Sequence, residues 1–325
     1  MTGLREMKDR EYVPHRAYLQ VMTRGLLSLS KVLLFNLDAF RKMRHHTQGS
    51  AHYVRPPRRY ELPVYRSGMR VCLSDEKYLR PTRYCNPRAP DIVAMAHHLG
   101  AYQVSDREFA EAAFEFVKRK VTLEILPMDG VEHTLRRGTG TCLHEISLLV
   151  ALCRAAGIRA RYKLYAPTMI QAWNDAILVD PLLQKWYNTL GFFMMHGEGE
   201  VLIDGEWVVV DVGPTPERQA AAGIPITGFG EDSLGVWLSA QPGSIMHVES
   251  LPYGMDFLLK LAARVTPATL DRVNASIQQQ IERGRHILEA VGEAAYDRQA
   301  REHKERMSPE PTVALQAPKE IIFEI

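Results

Sequence analysis

The sequence predicts an α+β fold in which a buried helix, opened by a cysteine, packs on an antiparallel β-hairpin and is flanked by further helices. Three observations predict it. After Cys142, the apolar residues Ile146, Leu149, Val150 and Cys153 recur at helical spacing, and Leu148 and Leu152 fill the flank, so the helix is buried on most sides. Residues 196–211 alternate about the dipeptide Asp204-Gly205, a strong signal for a two-residue hairpin turn. Apolar residues return at helical spacing between 90 and 117 and again beyond 251.

Each element carries its own start or stop signal. Gly138 and Gly140 let the chain turn sharply before Cys142, and Gly157 caps the cysteine helix; residues 159–165 then read as a strand. Ile92, Met95 and Ala96 share a helix ended by Gly100. Ser105 is an N-cap with Glu108 at the capping-box position, and Phe109, Ala112, Ala113, Phe116 and Val117 form the expected inner face of that helix. In the hairpin, a loop of Asp204 and Gly205 sets Ile203 opposite Glu206 and Leu202 opposite Trp207. Counting outward, Glu198 meets Asp211 and His196 meets Gly213, so His196 and Asp211 become diagonal neighbours on one face, about 7–8 Å apart at the backbone. Val201, Ile203, Val208, Val210 and Val212 make the other face, suited to the cysteine helix.

A thiol in the first turn of a helix sits at the positive end of the macrodipole, beside free N–H groups that favour thiolate and could hold an oxyanion. Cysteine, histidine and aspartate, with the base oriented by a third group, is the logic of an activated nucleophile. Two carboxylates brought together at Glu198 and Asp211 would raise one pKa or recruit a cation.

The segments 140–161 and 196–211, with Tyr78-Leu79-Arg80-Pro81-Thr82 upstream, resemble the transglutaminase-like superfamily in residue type and spacing, over roughly residues 76–216. The resemblance implies a papain-like core with Cys142 as nucleophile, His196 as base and Asp211 as orienting acid. Three departures stand out. Arg159 replaces the usual proline, Glu198 replaces a usual aromatic two residues after the histidine, and residues 166–195 are longer than the usual connection. That insertion is rich in large apolar residues and is divided by Pro181 into two helical pieces. Both of its ends lie near the expected cleft, so it reads as a lid or pocket wall, or as a plain helical hairpin. Thr141, Glu198, Trp173 and Trp186 are the expected substrate-binding residues.

Composition bounds the rest. The 325 residues carry a net charge of +2 and 46% apolar residues, which argues against a nucleic-acid partner. The expected organisation is a helical or irregular extension over 1–75, a catalytic core over 76–225 and a mainly helical segment over 226–325, with helices at 251–265 and 270–305. Residues 26–35 are apolar but too short to span a bilayer, and they read as a helix docked on the core or, less simply, lying on a membrane or partner. Residues 50–75 hold Pro56, Pro57 and Pro63 and read as a connector; the tail 321–325 has strand character. Cys72, Cys85, Cys142 and Cys153 lack metal or redox spacing, and no signal peptide is evident, so reduced thiols in the cytoplasm are expected, with no metal and no cofactor, calcium included.

The expected function is therefore acyl transfer from an amide or thioester through Cys142, by hydrolysis, amide formation or cyclisation, on a small, peptide or carrier-bound intracellular substrate. The rivals are a non-catalytic interaction module on the same scaffold and an acyl-CoA-dependent N-acyltransferase. The hallmark Arg-Gly-Gly-x-Cys of the latter is not matched by residues 137–142.

Overall fold

The computed structural model describes residues 16–45 and 53–303. The expected strand at 321–325 lies outside the described residues. Helices α1 (Arg16–Leu34) and α2 (Leu37–His45) form the basic N-terminal segment, and the chain then runs without a helix or strand from 53 to α3 (Pro90–His98). α1 is docked by Tyr18, Val21 and Val32, which are buried, while Leu27 and Leu34 stay exposed. α4 (Asp106–Lys120) begins at the Ser105/Glu108 capping box. Its buried stripe is Phe109, Ala110, Ala113, Phe114, Val117 and Lys118, so the expected inner face turns by about one residue. Ala112 and Phe116 fall at its edge, and a lysine falls inside it.

Short β1 (Thr122–Leu123) and β2 (Thr139–Gly140), on either side of α5 (Val131–Arg137), pair in parallel, and Glu124 N–H extends the ladder to the Gly140 carbonyl at 2.8 Å. This pairing fixes Thr139 and Gly140, which lead through Thr141 into the cysteine helix α6 (Cys142–Ala155). α6 ends where Gly157 turns with a positive φ of 88°, and it is buried along almost its whole length. β3 (Ala160–Tyr165) follows it as the sequence predicts.

β3 lies in an antiparallel sheet with β5 (His196–Ile203), β6 (Glu206–Val210) and β8 (Met246–Val248), in the order β6-β5-β3-β8. The β5–β6 register pairs Ile203 with Glu206, Leu202 with Trp207 and Gly199 with Val210, as the two-residue turn dictates. Asp204 (φ 55°) and Gly205 (φ 86°) are both left-handed, the geometry of a type I′ turn. Val201, Ile203, Val210 and Val212 are buried in one cluster with Ile146, Leu149 and Val150 of α6. Gly199 lets the two elements touch: a Cβ there would lie 3.2 Å from Leu149 Cδ2. α3, α4 and α5 cover the other side of α6, so the core is a helical layer, the cysteine helix and the sheet.

The 166–195 segment holds β4 (Pro167–Met169), α7 (Gln171–Ile177) and α8 (Pro181–Leu190), divided at Pro181 as expected. β4 pairs with β7 (Leu238–Ala240). α7 and α8 are tied on both sides: Trp186 Nε1 donates to Gly25 O of α1 at 3.2 Å, and Arg272 donates to Asp180 at 3.0 Å. The insertion is therefore a helical hairpin held between Gly25 on one side and Arg272 on the other. α9 (Pro216–Ala222) follows the hairpin strand β6, and α10 (Phe257–Val265), α11 (Pro267–Val291) and α12 (Glu293–Glu302) complete the described chain. Of the two helices expected beyond 251, the first thus starts later, at Phe257, and the second starts earlier, at Pro267, and divides because Gly292, at φ 82°, breaks it. No helix among the described residues is long and apolar enough to cross a membrane.

Candidate active site

Cys142 stands at the first helical position of α6, just after Thr141. Thr141 N–H donates to His144 Nδ1 at 3.1 Å, so the histidine side chain reaches back to cap the helix, and Thr141 Oγ1 lies 2.8 Å from the same nitrogen. Thr141 is 5% exposed. Its hydroxyl, expected to meet substrate, is engaged in shaping the turn that presents Cys142.

Three side chains converge where β5 and the segment after β6 come level with the tip of α6. A Cβ built on Gly213 would lie 3.3 Å from Asp211 Oδ1, 3.4 Å from His196 Cε1 and 3.5 Å from Cys142 Cβ. The ladder itself ends at the Gly199–Val210 pair, and Asp211 and Gly213 follow it outside the strand. Among the described residues, no hydrogen bond joins His196 to Asp211. Asp211 Oδ1 instead accepts from Gly213 N–H at 3.0 Å and Oδ2 from the Ser233 hydroxyl, while His196 Nε2 is buried without a partner. The two rings beside the imidazole are Tyr165 and Trp237, with centroids at 5.6 and 5.8 Å, both edge-on.

The electrostatics differ from the thiolate expected of a helix N-terminus. Burial, then the carboxylates of Glu145 and Asp211, push the Cys142 thiol up to about 12, against the Leu143 N–H and Arg218, which act the other way. A helix terminus contributes about 0.3–1 kcal/mol, less than one pH unit at about 1.4 kcal/mol each, so it cannot offset a rise of this size. Cys142 remains partly exposed, yet the packed atoms around its sulfur still desolvate it. Burial, helped by Arg218 and Lys163, also lowers the His196 pKa below its usual 6.5, with Asp211 opposing. The resting pair is a neutral thiol beside a neutral imidazole.

Glu198 is wholly buried. Both consequences foreseen for paired carboxylates occur. Burial and Asp211 raise its pKa to about 8, and Lys163 Nζ is recruited at 2.9 Å; the Tyr165 hydroxyl donates to its other oxygen at 2.7 Å. Trp173 is buried and stacks on Trp237 at 5.0 Å, one ring removed from His196. Trp186 packs instead with Val21, Leu190 and Phe192 against α1.

Four residues of this region were not legible in the sequence. Ser233 and Trp237 come from an irregular loop with no periodic pattern. Arg218 is buried in the first turn of α9, where the Thr215-Pro216 start signal was the available clue. Lys118 Nζ donates to Asp211 O at 3.2 Å, Pro214 O at 2.9 Å and Thr227 Oγ1 at 3.1 Å, and so holds the backbone around the triad; its place four residues after Phe114 was the signal.

A family model described as the transglutaminase-like superfamily matches residues 94–212. That span contains Cys142, His196 and Asp211 and bears out the likeness drawn from their spacing. Among solved structures, one from Cytophaga hutchinsonii named a "putative cysteine protease" is similar at 15% identity and a TM-score of 0.31, over 53% of this chain and 50% of that chain. The chain thus spans half the length of that relative. No curated protein matches it.

Proposed function

We propose that this protein is a cysteine acyl-transfer enzyme, with Cys142 as nucleophile, His196 as general base and acid, and Asp211 as the group that sustains the histidine's basicity. The observation that carries the reading is the convergence of all three side chains on Gly213. His196 takes the thiol proton as the sulfur adds to the carbonyl carbon of an amide or thioester. The resulting oxyanion is held by the N–H of Cys142 in the first turn of α6, which has no partner within the helix. His196 then gives the proton to the departing amine or thiol as the carbon–nitrogen or carbon–sulfur bond breaks. The thioester left on Cys142 is released by water or an amine through the same steps in reverse.

A neutral resting pair suits this course. The proton moves only when an electrophile is in place, and the buried site never holds an unpaired thiolate, whose desolvation would be costly. The acyl donor is proposed to be small or carrier-bound.

Incubation with amide and thioester donors, followed by intact-mass measurement, tests the reading. One acyl group per chain, mapped to Cys142 and absent from Cys142→Ala, is expected, and an added amine then separates transfer from hydrolysis. Cys142→Ala should stay folded, because a thiol in packed surroundings behaves as a small hydrophobe. A chain that takes up no acyl group from any donor, with Cys142 inert to alkylation as well, would fit a non-catalytic scaffold and overturn the proposal.

A further inference from the structure

Arg218 is 4% exposed, yet its fork is only half used. Its Nε donates to Gln280 Oε1 at 3.2 Å, and the guanidinium plane stacks on Trp173 with Cζ 3.8 Å from the ring centroid. Among the described residues, neither Nη1 nor Nη2 has a hydrogen-bond acceptor, and no carboxylate comes within ion-pair distance. Glu145, whose two carboxylate oxygens are also buried and without partners, balances the charge from further away. A chain of ring contacts leads from this cation to the reacting groups: Arg218 on Trp173, Trp173 tilted on Trp237 at 5.0 Å, Trp237 edge-on to His196 at 5.8 Å. The same arginine follows Gly213 by five residues and is fixed by Thr215, whose hydroxyl accepts from Arg218 N–H at 3.3 Å.

We infer that Arg218 forms a carboxylate-binding subsite beside Cys142, so that the acyl donor carries a carboxylate close to the carbonyl under attack. The inference rests on Cys142 being the nucleophile. A guanidinium clamped on one face and at Nε presents its two terminal N–H groups in parallel, the fork that a planar carboxylate accepts in bidentate fashion. Trp173 and Gln280 hold the fork at little further entropic cost, and the surrounding burial strengthens the pairing. The positive charge of Arg218 also reaches the Cys142 sulfur, to which it is an opposing influence on the proton. The geometry that brings it near is the pair of rings, Trp173 and Trp237, between Arg218 and His196.

Paired alkylating agents test this without knowledge of the substrate. Iodoacetate and 3-iodopropionate are compared with their amides for the rate of modification of Cys142, with glutathione as the free-thiol reference. Wild type is expected to prefer at least one acid over its amide by about tenfold or more relative to glutathione, since a charge-assisted contact of about 1.5–3 kcal/mol corresponds to that range. Arg218→Gln should return the ratio to the glutathione value, and Arg218→Lys should recover part of the preference, which an unfolded variant could not. Equal slowing of acid and amide in Arg218→Gln would mean that Arg218 only balances Glu145 or tunes the thiol, and would overturn the inference. A wild-type ratio equal to that of glutathione would overturn it too. Failure of every reagent to modify Cys142 would instead sink the nucleophile assignment, and the subsite with it.

Discussion

At the residue scale the site is a set of buried groups, each restraining the ionisation of its neighbours. Asp211 accepts from Gly213 N–H and from Ser233 and, among the described residues, makes no hydrogen bond to His196, on which it acts through its field. Asp211→Asn, which removes that field and weakens His196 as a base, should slow acyl transfer by about 10²- to 10⁴-fold, the range that general acid–base catalysis contributes. Ser233→Ala should cost only about tenfold, because one charge-assisted hydrogen bond of about 1.5–3 kcal/mol is lost while the charge stays. Single-turnover rates with an activated ester separate the two, and equal losses would mean that Ser233 carries the orientation. Glu198 gives a stability signature. Its folded pKa, about 8, lies above the ordinary 4.5, so the native state binds the proton more tightly. The stabilisation is fully present below pH 4.5 and is lost as pH rises through about 8. Melting temperatures of wild type should therefore fall more steeply between pH 5 and 9 than those of Glu198→Gln; parallel curves would show that Lys163 keeps Glu198 ionised throughout.

At the scale of elements, what was legible and what was not follow from how local the determinants are. The hairpin register could be counted from Asp204-Gly205, because a two-residue turn with both φ positive permits one pairing only, and that pairing brought His196, Glu198 and Asp211 together on paper. The capping box at Ser105 and the stop at Gly157 were equally local. The fate of the insertion was not: its apolar content predicted burial but not the partner, and Trp173 turned to the site while Trp186 turned to α1. Nor could the raised thiol pKa be read, because it depends on Glu145 and Asp211 arriving beside a desolvated sulfur. The helix that carries Arg218 is held by another contact invisible in sequence. A Cβ on Gly284 of α11 would fall 1.6 Å from the Glu217 carbonyl of α9. Gly284→Ala must therefore push these helices apart, at a cost of about 1–3 kcal/mol from overpacking. A lowered melting temperature together with a weakened preference for anionic reagents is expected. An unchanged melting temperature would mean that the contact is looser than described.

At the scale of the whole molecule the site is a junction of distant segments. Lys118 of α4 joins the backbone at 211–214 to the loop at 227, and Ser233, Trp237 and Gln280 arrive from still further along the chain. Burial lowers the Lys118 pKa to about 8, which leaves it mostly protonated at neutral pH and bonded to three oxygens. Lys118→Met fills the space but strands those acceptors, so a loss of about 2–4 kcal/mol in unfolding free energy is expected, with slower acyl transfer in the fraction that folds. Chemical denaturation that shows wild-type stability would remove Lys118 from this account. The most direct measurement of the central claim is the pH dependence of Cys142 acetylation by 4-nitrophenyl acetate in wild type and His196→Ala, with intact mass counting the acetyl groups. A neutral thiol served by a neutral imidazole predicts one acetyl group, on Cys142, and a wild-type rate that falls only below pH 6.5 as His196 is protonated. His196→Ala should be slower at neutral pH by about a hundredfold and should recover only as the thiol ionises towards pH 12. Equal rates in the two proteins, or acetyl groups spread over Cys72 and Cys142 alike, would contradict it.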